Sequence, residues 1–219
     1  MSAFAYLQSA SQSGNSALAF PSANVAGNMI VVATSNINVT AVNDTQGNSY
    51  NLVTAIHAGA PSIQIWVALS INAGANSVTA TGLNANSGGS SIAIIEYTTP
   101  SSFMFTGGNS GGPGGINGSN SRYQSSSETL LVIATYDYDT GHSWTGTNLA
   151  VRETTAEAGG STLGIGDFDT ATSTTATIST LNGGGSGSAS CSLINFIAGG
   201  GGSSTSHIQI SLSDPLVVN

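Results

Sequence analysis

The chain reads as an all-β protein, a two-sheet antiparallel β-sandwich with two similar halves. Three observations lead there. Charged residues make up only 5% of the 219 positions, and polarity comes from Ser, Thr, Asn and Gly. Such a surface suits strands and turns and lacks the Glu/Lys/Arg/Leu/Ala pattern that favours helices. Short apolar runs alternate with Gly/Asn/Ser turn signals along the whole chain. The pattern also restarts: NMIVVAT at 28–34 returns as ETLLVIAT at 128–135, Ser62-Ile63 with Ile65 as Ser161-Thr162-Leu163 with Ile165, VTATGLN at 78–84 as ATISTLN at 176–182, and Ile95-Glu96-Tyr97 as Ile194-Asn195-Phe196. A single echo means little in Gly/Ser/Thr-rich sequence, but several in order at an offset of 98–101 residues indicate a repeated unit.

Taken in order, Phe4, Tyr6 and Gln8 start an alternating strand, 9–15 is a polar loop, and 17–20 is a short strand closed by Pro21. Residues 27–53 are the organising stretch. An apolar run at 29–33 reads as a buried strand, and 39–42 and 50–53 read as a hairpin around the turn Asn43-Asp44-Thr45-Gln46-Gly47-Asn48. Asp44 and Asn48 supply side-chain caps to the turn backbone and Gly47 tolerates positive φ. Strands follow at 62–69 (SIQIWVAL, Trp66 in the core), 77–81 and 91–98 (SIAIIEYT).

The stretch GGNSGGPGGINGSNS at 107–121 is too rich in glycine to pack a core, and residues 106–120 read as a connection between halves at about 1–100 and 121–198. An isolated four-stranded unit must still bury a face, so the halves are expected to pack together as one sandwich, with Val31, Ala33, Ile65, Val67, Ile95, Leu131, Ile133 and Ile194 inside and helices nearly absent. Residues 199–206 (GGGGSSTS) read as a flexible linker. The segment 207–219 reads as a terminal strand or arm, with Ile208, Ile210 and Leu212 alternating before the apolar Leu216, Val217 and Val218. An uncharged strand of this kind is an association hazard unless an edge covers it, so these six residues are the expected assembly contacts.

The formal charge is −8 with two basic residues, Arg122 and Arg152, and no lysine, so a nucleic-acid partner is not expected: nothing neutralises phosphates. No apolar run approaches a membrane span, and residues 1–11 lack the basic and apolar regions of a secretory signal. The one cysteine, Cys191, lies in an apolar run and reads as a buried inert thiol.

The order Ala26-Gly27-Asn28 plus an aliphatic run, then Val42-x-Asp44-Thr45-x-Gly47-Asn48-x-Tyr50, then Ala73-Gly74-Ala75-Asn76-Ser77-Val78 and SIAIIEY resembles a family of jelly-roll-type β-sandwich domains found in bacterial surface proteins and in bacteriophage head and tail proteins. The second half fits with its ETLLVIAT strand and Leu149-Ala150-Val151-Arg152-Glu153, so the resemblance covers residues 3–198. It implies a binding and structural module, not an enzyme. The expectation is a structural virion protein, a capsid decoration or tail-associated component, assembled as a homo-oligomer (a trimer for preference) with other virion proteins. The alternative is a glycan-binding or adhesive module of a secreted bacterial protein.

Three patterns in the chain bear on chemistry. Gly108-Asn109-Ser110-Gly111-Gly112-Pro113 matches G-x-S-x-G, but the strand-to-helix elbow and a partnering histidine are missing from its context, and chance explains the match. Asp137 with Asp139 and Asp167 with Asp169 form two D-x-D pairs, each placing two carboxylates on one strand face. They are the candidate ligands for a hard cation such as Ca²⁺, but their expected role is as solvated loop acids, and no obligatory metal or cofactor is expected. Tyr136, Tyr138, His142 and Trp144 cluster in sequence and could stack sugars if exposed, though core filling is the expected role of Trp144.

Overall fold

A computed structural model describes residues 4–14, 16–35, 38–56, 63–83, 90–99, 103–111, 122–123, 129–137, 143–146, 149–156, 162–169, 175–176, 178–181 and 189–198. Every regular element among them is a strand. The first half supplies β1 (Tyr6–Ser13), β2 (Ala17–Ala19), β3 (Met29–Thr34), β4 (Ala41–Asp44), β5 (Tyr50–Ile56), β6 (Ile63–Ala68), β7 (Ser77–Thr81) and β8 (Ser91–Tyr97). The second supplies β9 (Phe103–Gly111), β10 (Arg122–Tyr123), β11 (Thr129–Asp137), β12 (Ser143–Gly146), β13 (Leu149–Ala156), β14 (Thr162–Asp169), β15 (Thr175–Ala176), β16 (Ile178–Leu181) and β17 (Ala189–Ala198). No helix among the described residues is long and apolar enough to cross a membrane.

The first half builds a five-stranded sheet, β1-β8-β3-β6-β5, and a three-stranded sheet, β2-β7-β4, and all pairings are antiparallel. Strands β1 to β4 alternate between the two sheets, as do β6 to β8, which is the wrap of a jelly roll. The second half repeats the plan: β9, β17, β11, β14 and β13 stand in the order of β1, β8, β3, β6 and β5, while the pairs β10-β15 and β12-β16 stand where β2-β7-β4 does. Register repeats too. Val31 opposes Ile95 and Val67 in the first half; Val132 opposes Ile194 and Asp167 in the second. Even the irregularities recur. Val53 bulges from β5 between Leu52 and Thr54, and Arg152 bulges from β13 between Val151 and Glu153. Bulges bend a strand and re-aim its side chains, so their recurrence marks one unit used twice.

The two five-stranded sheets pack face to face, with β1 over β13 at one end and β5 over β9 at the other, a pseudo-two-fold arrangement. The expected packing of two halves as one sandwich therefore holds, with the smaller sheet β2-β7-β4 forming an additional outer layer. Strands β3, β6 and β8 are buried along their whole length, which explains why their sequences are apolar without interruption. One face, with Met29, Val31, Ala33, Ile63, Ile65, Val67, Ala93, Ile95 and Tyr97, meets Leu163 and Ile165 of the second half. The other, with Ile30, Val32, Trp66, Ala68, Ile92 and Ile94, packs on Leu18, Val42, Val78 and Ala80 of the small sheet. Each fully buried aliphatic side chain stabilises by about 1.5–3 kcal/mol relative to exposure. Leu131, Ile133 and Ile194 occupy β11 and β17, and their burial falls outside the described side chains.

Four expectations need correction. Segment 39–53 is not a hairpin: β4 pairs with β7 and β5 with β6, so the turn carries the chain from one sheet to the other. The polar segment after Gln8 continues β1 as far as Ser13, held by pairing with β8. The glycine-rich segment is strand up to Gly111, so the second half begins at β9 rather than near 121. Ladder hydrogen bonds belong to the backbone, and an edge strand needs no large side chains to make them. Finally, a half is not a four-stranded unit: all eight segments read as strands between residues 4 and 98 form, five in one sheet and three in the outer layer.

Candidate functional site

At the β1/β13 end of the seam, beside the apolar contacts made by Leu163 and Ile165, lies a polar cluster. The Arg152 guanidinium is held over the Tyr6 ring, 4.0 Å from its centroid. It donates from Nε and Nη2 to the two oxygens of Asp167 at 2.6 and 2.9 Å. The Tyr97 hydroxyl of the first half donates to Asp167 Oδ2 at 2.7 Å. Beside it, Ser9 and Ser11 donate from β1 to the carboxylate of Glu153 at 2.6 and 2.9 Å. Burial works against the charge on Arg152, but Asp167 outweighs it and holds the guanidinium's pKa above its usual value. Burial, then the charge of Asp167, pushes the Tyr97 phenol well up.

The pseudo-equivalent positions at the other end are Val53, Val67, Phe196 and Phe105 in place of Arg152, Asp167, Tyr97 and Tyr6. Val67 is buried and Val53 packs against the same core. The described side chains at that end, Val53 and Val67, are apolar, whereas the β1/β13 end holds a hydrogen-bonded ion pair. Two copies of the first half facing each other would leave the Tyr97 hydroxyl without Asp167, so the polar end specifies pairing of first half with second.

Two further carboxylates act as hubs. Glu96 on β8 is fully buried. Its Oε1 accepts from Val25 N at 2.9 Å and Asn28 Nδ2 at 2.7 Å, and its Oε2 from Gln8 Nε2 at 2.6 Å and Asn24 Nδ2 at 2.7 Å. Burial pushes its pKa up, but these hydrogen bonds from Gln8, Val25, Asn28 and Asn24 bring it net below the usual carboxylate value. Asp44 ends β4. Its Oδ1 accepts from Gln46 N and Asn48 N at 3.1 and 2.9 Å, and its Oδ2 from Asn48 Nδ2, Tyr50 Oη and Asn76 Nδ2 at 2.7, 2.8 and 2.8 Å. Burial again opposes ionisation, but the donors of Asn76, Asn48 and Tyr50 outweigh it and lower the pKa. The residues Asp44, Asn48 and Tyr50 of the turn motif therefore share one job, and Gly47 at φ +71° lets the chain close around it.

The sequence candidates are dispersed. Asp167 is 1% exposed and committed to Arg152 and Tyr97, which corrects its reading as a solvated loop acid. Asp137 and Asp169 sit at opposite ends of the β11/β14 ladder, opposite Thr162 and Leu130, roughly 24 Å apart at strand rise, so the three described aspartates do not gather. Asp139 and the assembly residues Ile208, Ile210, Leu212, Leu216, Val217 and Val218 lie outside the described residues, as do Tyr138 and His142. Among the described residues no three His, Cys, Asp or Glu side chains group as metal ligands, and the donors around Asp44 and Glu96 occupy the oxygens a cation would need. Ser110 lies in β9 opposite Ser192, without the turn that would expose a nucleophile. Cys191 is on β17 opposite Gly111, and Trp66 is in the core. The seam cluster was missed in sequence, although Leu163, Ile165 and Asp167 alternate on one face and so placed the acid inward. No protein-family model, curated protein or solved structure matches this chain.

Proposed function

We propose that this protein is a non-enzymatic structural component of a bacteriophage virion, a capsid decoration or tail-associated protein that acts through protein–protein assembly. The observation that carries the reading is the duplicated jelly roll. Two copies of one wrap are fused face to face, with matching strand order, register and bulges. This is support at the level of fold, since jelly rolls serve in viral capsids among other places. The half-buried carboxylate of Asp44 and the buried ones of Glu96 and Asp167 serve to brace loops and the seam, which suits a rigid building block. In this proposal residues 207–219 add to a neighbouring copy by main-chain pairing, and a closed trimer satisfies every arm.

Two measurements test it. Mass spectrometry of particles purified from a phage carrying this gene is expected to find the chain as a stoichiometric component; its absence from particles overturns the reading. Light scattering on the full chain and on a chain lacking residues 200–219 is expected to show a trimer and a monomer, and two monomers of equal stability would end the arm argument.

A further inference from the structure

We propose that one end of the first jelly roll carries a binding site for a neutral sugar ring. An open cleft of about 320 Å³ lies there, lined by Phe20, Pro21, Ser22, Thr45, Asn76 and Ser77 among others. Its size is at the small end of ligand clefts, about 300–1,000 Å³, and fits a single ring better than a long chain.

Both walls are preformed. One wall, the segment after β2, is fastened by Gln8, which accepts from Ser22 N at 2.9 Å and donates to Ser22 O and to buried Glu96. The other is fastened by Asp44 through Asn76, and by Thr45 Oγ1, which donates to Asn76 Oδ1 at 3.1 Å and accepts from Ser77 N at 3.0 Å. Phe20 N donates to Asn76 O at 3.0 Å and ties the walls together. A ligand entering such a cleft has little protein to order, which lowers the cost of binding.

The lining chemistry selects the ligand class. No lining residue is charged, and the two nearby carboxylates are turned to their own donors, so an ionic ligand would lose hydration and gain no counter-charge. Ser22 and Ser77 are held by their backbones, which leaves their hydroxyls outside the bonds that fasten the walls. Each hydroxyl can donate once and accept twice, the same capacity as the hydroxyls of a sugar. Pro21, exposed beside the buried Phe20, supplies an apolar surface for the C–H face of a ring. This inference does not depend on the chain being a virion component.

The test is an amide NMR titration of the full chain with glucose, galactose, N-acetylglucosamine and maltotriose, with glucuronate and glucosamine as charged controls. At least one neutral sugar is expected to give saturable shifts confined to residues 19–23, 45 and 75–77. The charged rings are expected to bind at least about tenfold more weakly. The double variant Ser22→Ala/Ser77→Ala is expected to weaken binding about tenfold, as the loss of two neutral hydrogen bonds implies, with the melting temperature unchanged. Ala75→Trp, at an exposed position on the rim, is expected to block the cleft without unfolding the protein. Absence of saturable shifts at tens of millimolar of every neutral sugar, equal binding of the charged rings, or wild-type binding by both variants would each overturn the assignment.

Discussion

Tyr97 on β8 and Asp167 on β14 are joined by a 2.7 Å hydrogen bond across the seam between the two halves, and both are buried. The bond joins the two halves within their shared core. Tyr97→Phe is expected to lower stability by about 1.5–3 kcal/mol, the range for a hydrogen bond to a charged group, measured by urea unfolding. Arg152→Leu is expected to cost more, about 3–5 kcal/mol for a buried charge stripped of its partner, because Asp167 is the more deeply buried member of the pair. A valine at 167 combined with Arg152→Val and Tyr97→Phe, imitating the apolar end of the seam, is expected to recover most of that loss.

Acid is expected to destabilise the fold through Glu96 and Asp44. Burial raises both pKa values, but the surrounding donors lower them further, so each ends below its unfolded value of 4.5 or 3.8. A carboxylate whose folded pKa is depressed stabilises fully above the unfolded pKa and loses that contribution as pH falls through the folded one. Melting temperature is therefore expected to be flat with respect to these groups above about pH 5 and to fall as pH drops below about 4. Glu96→Gln places a donor among four donors and is expected to lower stability at neutral pH by about 2 kcal/mol or more. It is also expected to flatten the acid limb of the curve; an unchanged limb would remove Glu96 from this account.

Gly82 and Gly27 give a matched backbone test. Both have positive φ, +90° and +85°. A Cβ at Gly82 would sit 2.2 Å from the Asn38 carbonyl oxygen, whereas one at Gly27 meets nothing within 4 Å. Gly27→Ala is expected to cost about 1–2 kcal/mol for the left-handed conformation alone. Gly82→Ala is expected to cost clearly more, since backbone must move; equal losses in thermal unfolding would contradict the steric argument.

Removal of divalent metal is expected to leave thermal unfolding unchanged, because the hub carboxylates are already saturated by protein donors. A marked rise in melting temperature with millimolar Ca²⁺ would reverse this and direct attention to Asp137, Asp139 and Asp169.

The central strands can be read from composition alone. β3, β6 and β8 are buried on both faces, so their composition is apolar throughout and legible without knowledge of partners. The duplication was legible for the same reason: repeated packing demands repeated side chains at Val31 and Val132, or Ile65 and Ile165. Strand pairing, by contrast, is set by contacts between distant segments. β4 and β5 flank a turn that local chemistry writes clearly, yet they enter different sheets, because sheet membership is settled by distant strands β7 and β6. Residues 106–111 carry no apolar signal, yet they are strand, because their ladder to β17 is made by backbone alone. Arg152, Asp167, Tyr6 and Tyr97 are ordinary polar residues in sequence, and their meaning arises only where β1 and β13 come face to face. Local pattern reports whether a side chain faces water or core; which charge meets which hydroxyl inside that core depends on contacts between residues far apart in the chain, which no local pattern encodes.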